Sequence, residues 1–310
     1  MDPSTIPIPD FSNIKISTET IIAVSNLTFD LNLLYNYLPV TEYVVVKRKR
    51  GRKKKIEVID PNKDIPVGSI ITVQNKNNIR GAIIKKKKED SKTYFLNSIT
   101  VIIVLYGGKM INCKISKNGK FQITGCKENS HFLKCVEYIY RHVRDAEDQI
   151  GENICNFKNP ADKHPRVIFN IVMKNIDFKV GFSIQRDKLD TFISVNTDFH
   201  SHYEGSITTG VNIKIRSKHP YDPIINQLEI LPEGEVKLSM VEYSKYLEFL
   251  DDKEKKKELK KEKYHTFLVF CSGSIIMSGS GPDMPEVYRE FMTVLLNNKQ
   301  HFEEKLISDD

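Results

Sequence analysis

The stretch Asn118-Gly119-Lys120-Phe121-Gln122-Ile123-Thr124-Gly125 returns 154 positions later as Ser272-Gly273-Ser274-Ile275-Ile276-Met277-Ser278-Gly279. Each copy is a glycine turn, an alternating strand and a second glycine. Asn-Gly between alternating residues is the strongest short hairpin signal. A second pair supports the first: Asn26-Leu27-Thr28-Phe29 and Asn175-Ile176-Asp177-Phe178, 149 positions apart. Two matches at nearly constant offset predict a duplicated unit.

Outward from the hairpins, both halves show one order: strand, helix, strands, hairpin, helix. In the first half, Ile21–Val24 reads as a strand, Phe29–Leu38 as a helix ended by Pro39, and Ile99–Leu105, Met110–Ile115 and Phe121–Thr124 as strands. A helix from Ser130 to Arg144 follows, with Phe132, Val136, Ile139, Tyr140 and Val143 on one stripe and Ser130 as its cap. In the second half the strands are Val167–Met173, Val211–Ile215, Thr266–Phe270 and Ile275–Met277. A helical stretch covers 182–192, and a last helix opens at Pro285 and runs to Leu306. Residues 1–15 read as a tail, 151–165 as a linker, 16–150 and 166–310 as the repeats. Two insertions interrupt them, at about 41–95 and 216–263. The first carries Lys47–Arg50, Arg52–Lys55 and Lys85–Lys88, with strand signals at Ile56–Ile59 and Ser69–Val73; it reads as a basic β insertion or as a solvated loop. The second ends in a Lys/Glu helix over 253–263. Without the insertions each half is below about 100 residues, too small for an ample core of its own, so the halves are expected to share a sheet.

Composition bounds the function. At 310 residues and 40% hydrophobic the chain can bury a core, and two domains fit its length. There is no run of 18 apolar residues and no secretory leader, so no membrane partner is expected. The five cysteines show no CxxC spacing, which argues against a zinc ribbon and for a reducing compartment. No phosphate-binding, dinucleotide-binding or nucleophile-elbow motif occurs. His200 and His202 alternate along one segment without a third ligand, and His131 with Cys135 reads as helix packing. No metal, cofactor, small-molecule substrate or catalytic residue is expected, and the protein is read as non-enzymatic.

The hairpins also carry a resemblance. Ser116-Lys117-Asn118-Gly119-Lys120-Phe121-Gln122-Ile123-Thr124-Gly125-Cys126-Lys127 and Phe270-Cys271-Ser272-Gly273-Ser274-Ile275-Ile276-Met277-Ser278-Gly279-Ser280 resemble the strand-turn-strand signature of the TATA-box-binding protein family. Asn170-Ile171-Val172 resembles the family's opening strand of the second repeat, and Tyr203–Ile215 its Tyr-Glu segment. The insertions and composition resemble a divergent version from a large DNA virus.

The resemblance implies an α+β fold: two pseudo-symmetric repeats forming one curved antiparallel sheet, a saddle, with helices on the convex face. The concave face would lie on the minor groove, where apolar wedges kink the duplex. A·T pairs offer only acceptors there, and G·C adds an amino donor. A reader of A·T therefore needs an apolar floor with a few amides and hydroxyls. The implied DNA-binding set is Asn170, Val172, Leu268, Phe270, Ile276, Ser278, Gln122, Thr124 and Ile99. Phe270 falls on a wedge position, and Ile99, Ser116 and Thr208 stand at the others. Lys120, Lys127 and Lys214 match phosphate-contact positions. The implied function is promoter binding at AT-rich double-stranded DNA and recruitment of transcription factors or RNA polymerase subunits, in a nucleus or a cytoplasmic viral factory. The alternatives are a scaffold of the same fold that does not bend DNA, an enzyme fragment, and nonspecific nucleic-acid binding through the basic blocks.

Overall fold

The computed structural model describes residues 8–46, 61–84, 97–232 and 234–304. In chain order they form β1 (Ile16–Ser25), β2 (Leu27–Phe29), α1 (Leu31–Tyr37), β3 (Ile70–Asn75), β4 (Asn78–Gly81), β5 (Ser98–Leu105), β6 (Lys109–Ser116), β7 (Lys120–Cys126), α2 (Asn129–Ile150) and β8 (Cys155–Phe157). Then come β9 (Arg166–Lys179), α3 (Arg186–Asn196), β10 (His200–His202), β11 (Gly210–Arg216), β12 (Ile224–Ile230), β13 (Val236–Glu242), α4 (Tyr243–Glu248), α5 (Asp252–Lys260), β14 (Tyr264–Phe270), β15 (Ser274–Gly279) and α6 (Met284–Asn297). The basic blocks Lys47–Lys55 and Lys85–Lys88 and the strand expected at Ile56–Ile59 lie outside the described residues.

The chain divides into two units, and the division falls inside β1 and β9. The N-unit holds Thr20–Asn170 with Ile225–Val241; the C-unit holds the described residues up to Glu19, Ile171–Ile224 and Glu242 onward. In the N-unit the strand order is β1-β7-β6-β5-β3-β4; in the C-unit it is β9-β15-β14-β11-β10. In both, the opening strand sits beside the last and the strands beyond follow in reverse, except that in the N-unit β4 lies outside β3. The pairs β3–β5, β5–β6 and β6–β7, and all four in the C-unit, are antiparallel. The architecture is α+β, as expected.

Local chemistry sets these elements. Gly119 has φ +75°, and a β-carbon there would stand 1.9 Å from the carbonyl oxygen of Leu27, so the turn admits no side chain. Gly273 repeats this in the C-unit, 2.1 Å from the carbonyl of Phe182. Asp30 caps α1 by accepting the N–H groups of Asn32 and Leu33. The cap position of α2 is Glu128, not the expected Ser130, whose hydroxyl instead donates to Glu128 at 2.8 Å. Gly151, left-handed, ends α2.

Strand alternation sorts the two faces of each sheet. In the N-unit Ile111, Cys113, Ile115, Phe121 and Ile123 are buried, as are Phe132, Cys135, Val136, Ile139 and Val143 of α2, the helix that packs on β5, β6 and β7. In the C-unit Val211, Ile213, Phe267, Val269, Ile275 and Met277 share a core with Leu189 and Ile193 of α3 and Val287, Phe291 and Leu295 of α6. Phe267 stacks on Phe291 with ring centroids 3.9 Å apart. The opposite face of each sheet carries the alternate residues.

Three segments differ from the reading of the sequence. Ile8, Phe11 and Ile14, in the expected tail, pack on the C-unit core, and the Phe11 ring lies 5.5 Å from that of Tyr288. The expected linker holds β8, which pairs with β2. Part of the second insertion belongs to the N-unit, because β12 pairs with Arg166–Phe169 of β9. These are contacts between residues far apart in sequence, and nothing local announces them.

Candidate nucleic-acid interface

On the open face of the C-unit, register lays side chains in rows across five strands. Asn175, Ser278, Thr266, Lys214 and His200 are successive partners across β9, β15, β14, β11 and β10. The next row is Asp177, Ile276, Leu268, Asn212 and His202. Phe270 closes β14 opposite Gly210 and is half-buried. A β-carbon on Gly210 would come within 3.1 Å of the Leu268 side chain, so glycine keeps this corner of the floor clear. Thus four expected residues, Leu268, Phe270, Ile276 and Ser278, share one face. Leu268 and Ile276 form an apolar pair at its centre, with hydroxyls of Thr266 and Ser278 beside it. Lys214 is exposed on the same face.

The open face of the N-unit is different in chemistry. Its rows are Gln122, Lys114, Thr100 and Gln74, and Thr124, Asn112, Ile102 and Thr72. The expected Gln122 and Thr124 therefore share a face. Thr124 donates to the Asn112 carbonyl at 3.5 Å. Against the second row lies a cavity of about 440 Å³, walled also by Ile79, Ile83 and Met110. Its wall is held by Thr72, whose hydroxyl donates to the Ala82 carbonyl at 2.7 Å. Lys120 opens β7 in phase with Gln122, and Lys127 follows the strand, exposed.

Three expected residues lie outside these rows. Ile99 is fully buried, in phase with Val101 and Ile103 on the helix side, and its neighbour Ser98, opposite Ser116, takes the open position. An apolar residue in phase with apolar neighbours belongs to the core, so Ile99 is withdrawn as a wedge. Asn170 is buried, with its amide nitrogen unpartnered among the described residues. In the N-unit Phe169 is buried with its ring 4.9 Å from that of Phe132 on α2, so alternation turns its neighbour Asn170 away from that helix, and Val172 is half-buried. The amide of β9 beside Ser278 is that of Asn175. Asn175, Thr266 and Asn212 were missed; counting back in steps of two from Phe270 reaches Thr266, the hairpin partner of Ser278, whereas Asn175 and Asn212 join through strand pairings that no tight turn fixes. Thr208 lies before β11, its hydroxyl donating to the Glu204 carbonyl.

Other candidate chemistry is structural. The Cys135 thiol is held well above its ordinary pKa by its hydrogen bond to Cys113 and by burial, so it is not a nucleophile. His131 accepts the Lys127 N–H at 3.1 Å. Among the described residues no three metal-type ligands cluster, and no helix is long and apolar enough to cross a membrane.

Comparison with known proteins gives two viral relatives. Uncharacterized protein 335L of Invertebrate iridescent virus 6 is 26% identical over 317 positions, covering 94% of this chain and 86% of that one. A TATA-box-binding protein-like protein of Acanthamoeba polyphaga mimivirus is 26% identical over 186 positions, covering 57% of this chain and 44% of that one. The chain thus spans less than half the length of the mimivirus protein. Among solved structures, Methanococcus jannaschii TBP aligns with a TM-score of 0.44 at 13% identity, covering 94% of this chain and 99% of that chain. No family model matches. The chain is similar to a viral TATA-box-binding-protein-like protein.

Proposed function

We propose that this chain is a TATA-box-binding-protein-like transcription initiation factor that binds double-stranded, AT-rich promoter DNA through the minor groove and recruits transcription factors or polymerase subunits. The observation that carries the reading is the C-unit floor: Leu268 beside Ile276, hydroxyls of Thr266 and Ser278 next to them, and Phe270 at the strand end. An apolar surface matches A·T steps, which present no donor that must be satisfied. A half-buried Phe at the margin is a wedge of the kind that unstacks a base step. Lys214, Lys120 and Lys127 are the phosphate contacts. The protein acts by binding, in a nucleus or a cytoplasmic viral factory; both relatives above are proteins of viruses.

A second reading is favoured by one observation. In the N-unit the wedge position is Ser116 opposite Ser98, and the floor carries Lys114 and Gln122. A scaffold that assembles transcription factors without bending DNA fits that face.

The test is binding of the whole chain to an AT-rich and a GC-rich duplex across a salt series, with Phe270→Ala alongside. An AT preference of tenfold or more that Phe270→Ala removes supports the first reading. Equal affinity for both duplexes, unchanged by Phe270→Ala, leaves the scaffold.

A further inference from the structure

The two open faces differ at matching positions, and the difference is one of hydrogen-bonding capacity. Gln122 is the third residue of β7 and Ile276 the third of β15, each after the same tight turn. Their partners on the neighbouring strand are Lys114 and Leu268. One strand further stand Thr100 and Asn212, and then Gln74 and His202. The N-unit row is polar from end to end. The C-unit row has its apolar pair where the N-unit has Gln122 and Lys114.

From this we infer that the N-unit face accepts G·C base pairs in the part of a DNA site lying against it, while the C-unit face demands A·T. The inference rests on the minor-groove reading above and deepens it. Guanine places its amino group in the minor groove as a donor, and the other groups on the groove floor are acceptors. A glutamine amide serves both: its oxygen accepts from the amino group, and its nitrogen donates to adenine N3 or thymine O2. Gln122 offers this pair; Gln74 offers its oxygen and the second hydrogen of a nitrogen that already donates to the Lys76 carbonyl at 2.9 Å, and the Thr100 hydroxyl between them donates or accepts. Lys114 donates to any base acceptor and does not discriminate.

Leu268 and Ile276 can do neither. A guanine amino group pressed on them loses its water and gains no partner. The amide oxygens nearest this pair do not rescue it, since those of Asn175 and Asn212 are shielded inside the surface. Space reinforces chemistry. The amino group protrudes from the groove floor, and the N-unit cavity of about 440 Å³ beside Gln74, Thr100, Asn112 and Thr124 leaves room for it.

The test uses the whole chain and a set of duplexes: an AT-only site and the same site with one G·C pair at each position in turn. Substitution on one side of the site is expected to cost less than threefold in affinity, and on the other about tenfold or more. The variants label the sides. Gln74→Val with Gln122→Val makes the tolerant side intolerant. Ile276→Gln relaxes the intolerant side. Both replace half-buried residues on an open face, and equal melting temperatures certify the fold. Equal costs on both sides, unmoved by either variant but with an AT preference that Phe270→Ala abolishes, overturn this inference and leave the minor-groove reading standing. Indifference to sequence at every position in the wild type overturns both.

Discussion

His265 Nε2 lies 3.0 Å from Asp283 Oδ1, and both side chains are sealed from solvent. The other oxygen of Asp283 accepts the Ser217 hydroxyl and the Lys218 N–H at 2.8 Å each, and the His219 N–H at 3.2 Å. One carboxylate thus ties β14 to the start of the second insertion and to the foot of α6. Burial pushes the His265 pKa below the usual histidine value, and this outweighs the upward pull of Asp283. Burial pulls Asp283 upward, but the hydrogen bonds from His219, Ser217 and Lys218 and the nearness of His265 outweigh it and hold its carboxyl below the usual range.

The sign of the pH effect follows. Unfolded, His265 takes a proton near pH 6.5 that the folded protein refuses. Its contribution is therefore intact above pH 6.5 and is lost as pH falls through the lower folded value. Asp283 acts in the same direction in more acidic solution, below its unfolded value of 3.8. Urea denaturation at pH 7.5 and 5.5 is expected to show lower stability at 5.5, with a smaller drop for His265→Gln. An equal drop in the variant would show that His265 does not set it. Asp283→Ala strands several buried donors and is expected to cost about 3 kcal/mol.

Phe267 and Phe270 are three residues apart on β14 and do opposite work. Phe267 is fully buried and stacks on Phe291, whereas Phe270 is half-buried on the open face. Phe267→Ala is expected to cost about 3–5 kcal/mol of stability. Phe270→Ala is expected to cost less than about 1 kcal/mol while abolishing AT preference. Thermal melts of the two variants decide it. A comparable loss from both would mean that Phe270 is a core residue and that the face assignment is wrong.

This face assignment marks how far the sequence could be read. Leu268, Phe270, Ile276 and Ser278 were legible because the Ser272-Gly273 turn anchors their phase, and a hairpin fixes register once its turn is known. The opening strands had no such anchor. β9 runs for 14 residues and carries asparagine at both even and odd positions, Asn170 and Asn175. A one-residue choice of phase moves every side chain to the other face, and phase does not run unbroken along β9, since Phe169 and Ile176, seven apart, both face the core of their own unit. Ile99 failed for a related reason. The resemblance set it at a wedge position, but its phase with Val101 and Ile103 puts it under α2. The docking of β12 on β9 was out of reach, since it depends on residues about 60 positions apart with no shared pattern.

Lys214 separates electrostatic from sequence-reading contributions. It is exposed on β11, opposite Thr266 and His200, and flanks the apolar pair without joining it. A lysine that neutralises one phosphate displaces a counterion, so the logarithm of affinity falls with the logarithm of salt by roughly one unit of slope per contact. Lys214→Gln is expected to weaken binding to AT-rich and GC-rich duplexes by the same factor and to reduce the salt slope by about 1. Ser278→Ala, one row-neighbour away across Thr266, is expected to leave the slope unchanged. Anisotropy titrations at four salt concentrations give both quantities. A Lys214→Gln variant that loses AT preference but keeps its slope would make Lys214 a base contact, and the floor would then extend one strand further than Leu268 and Ile276 define it.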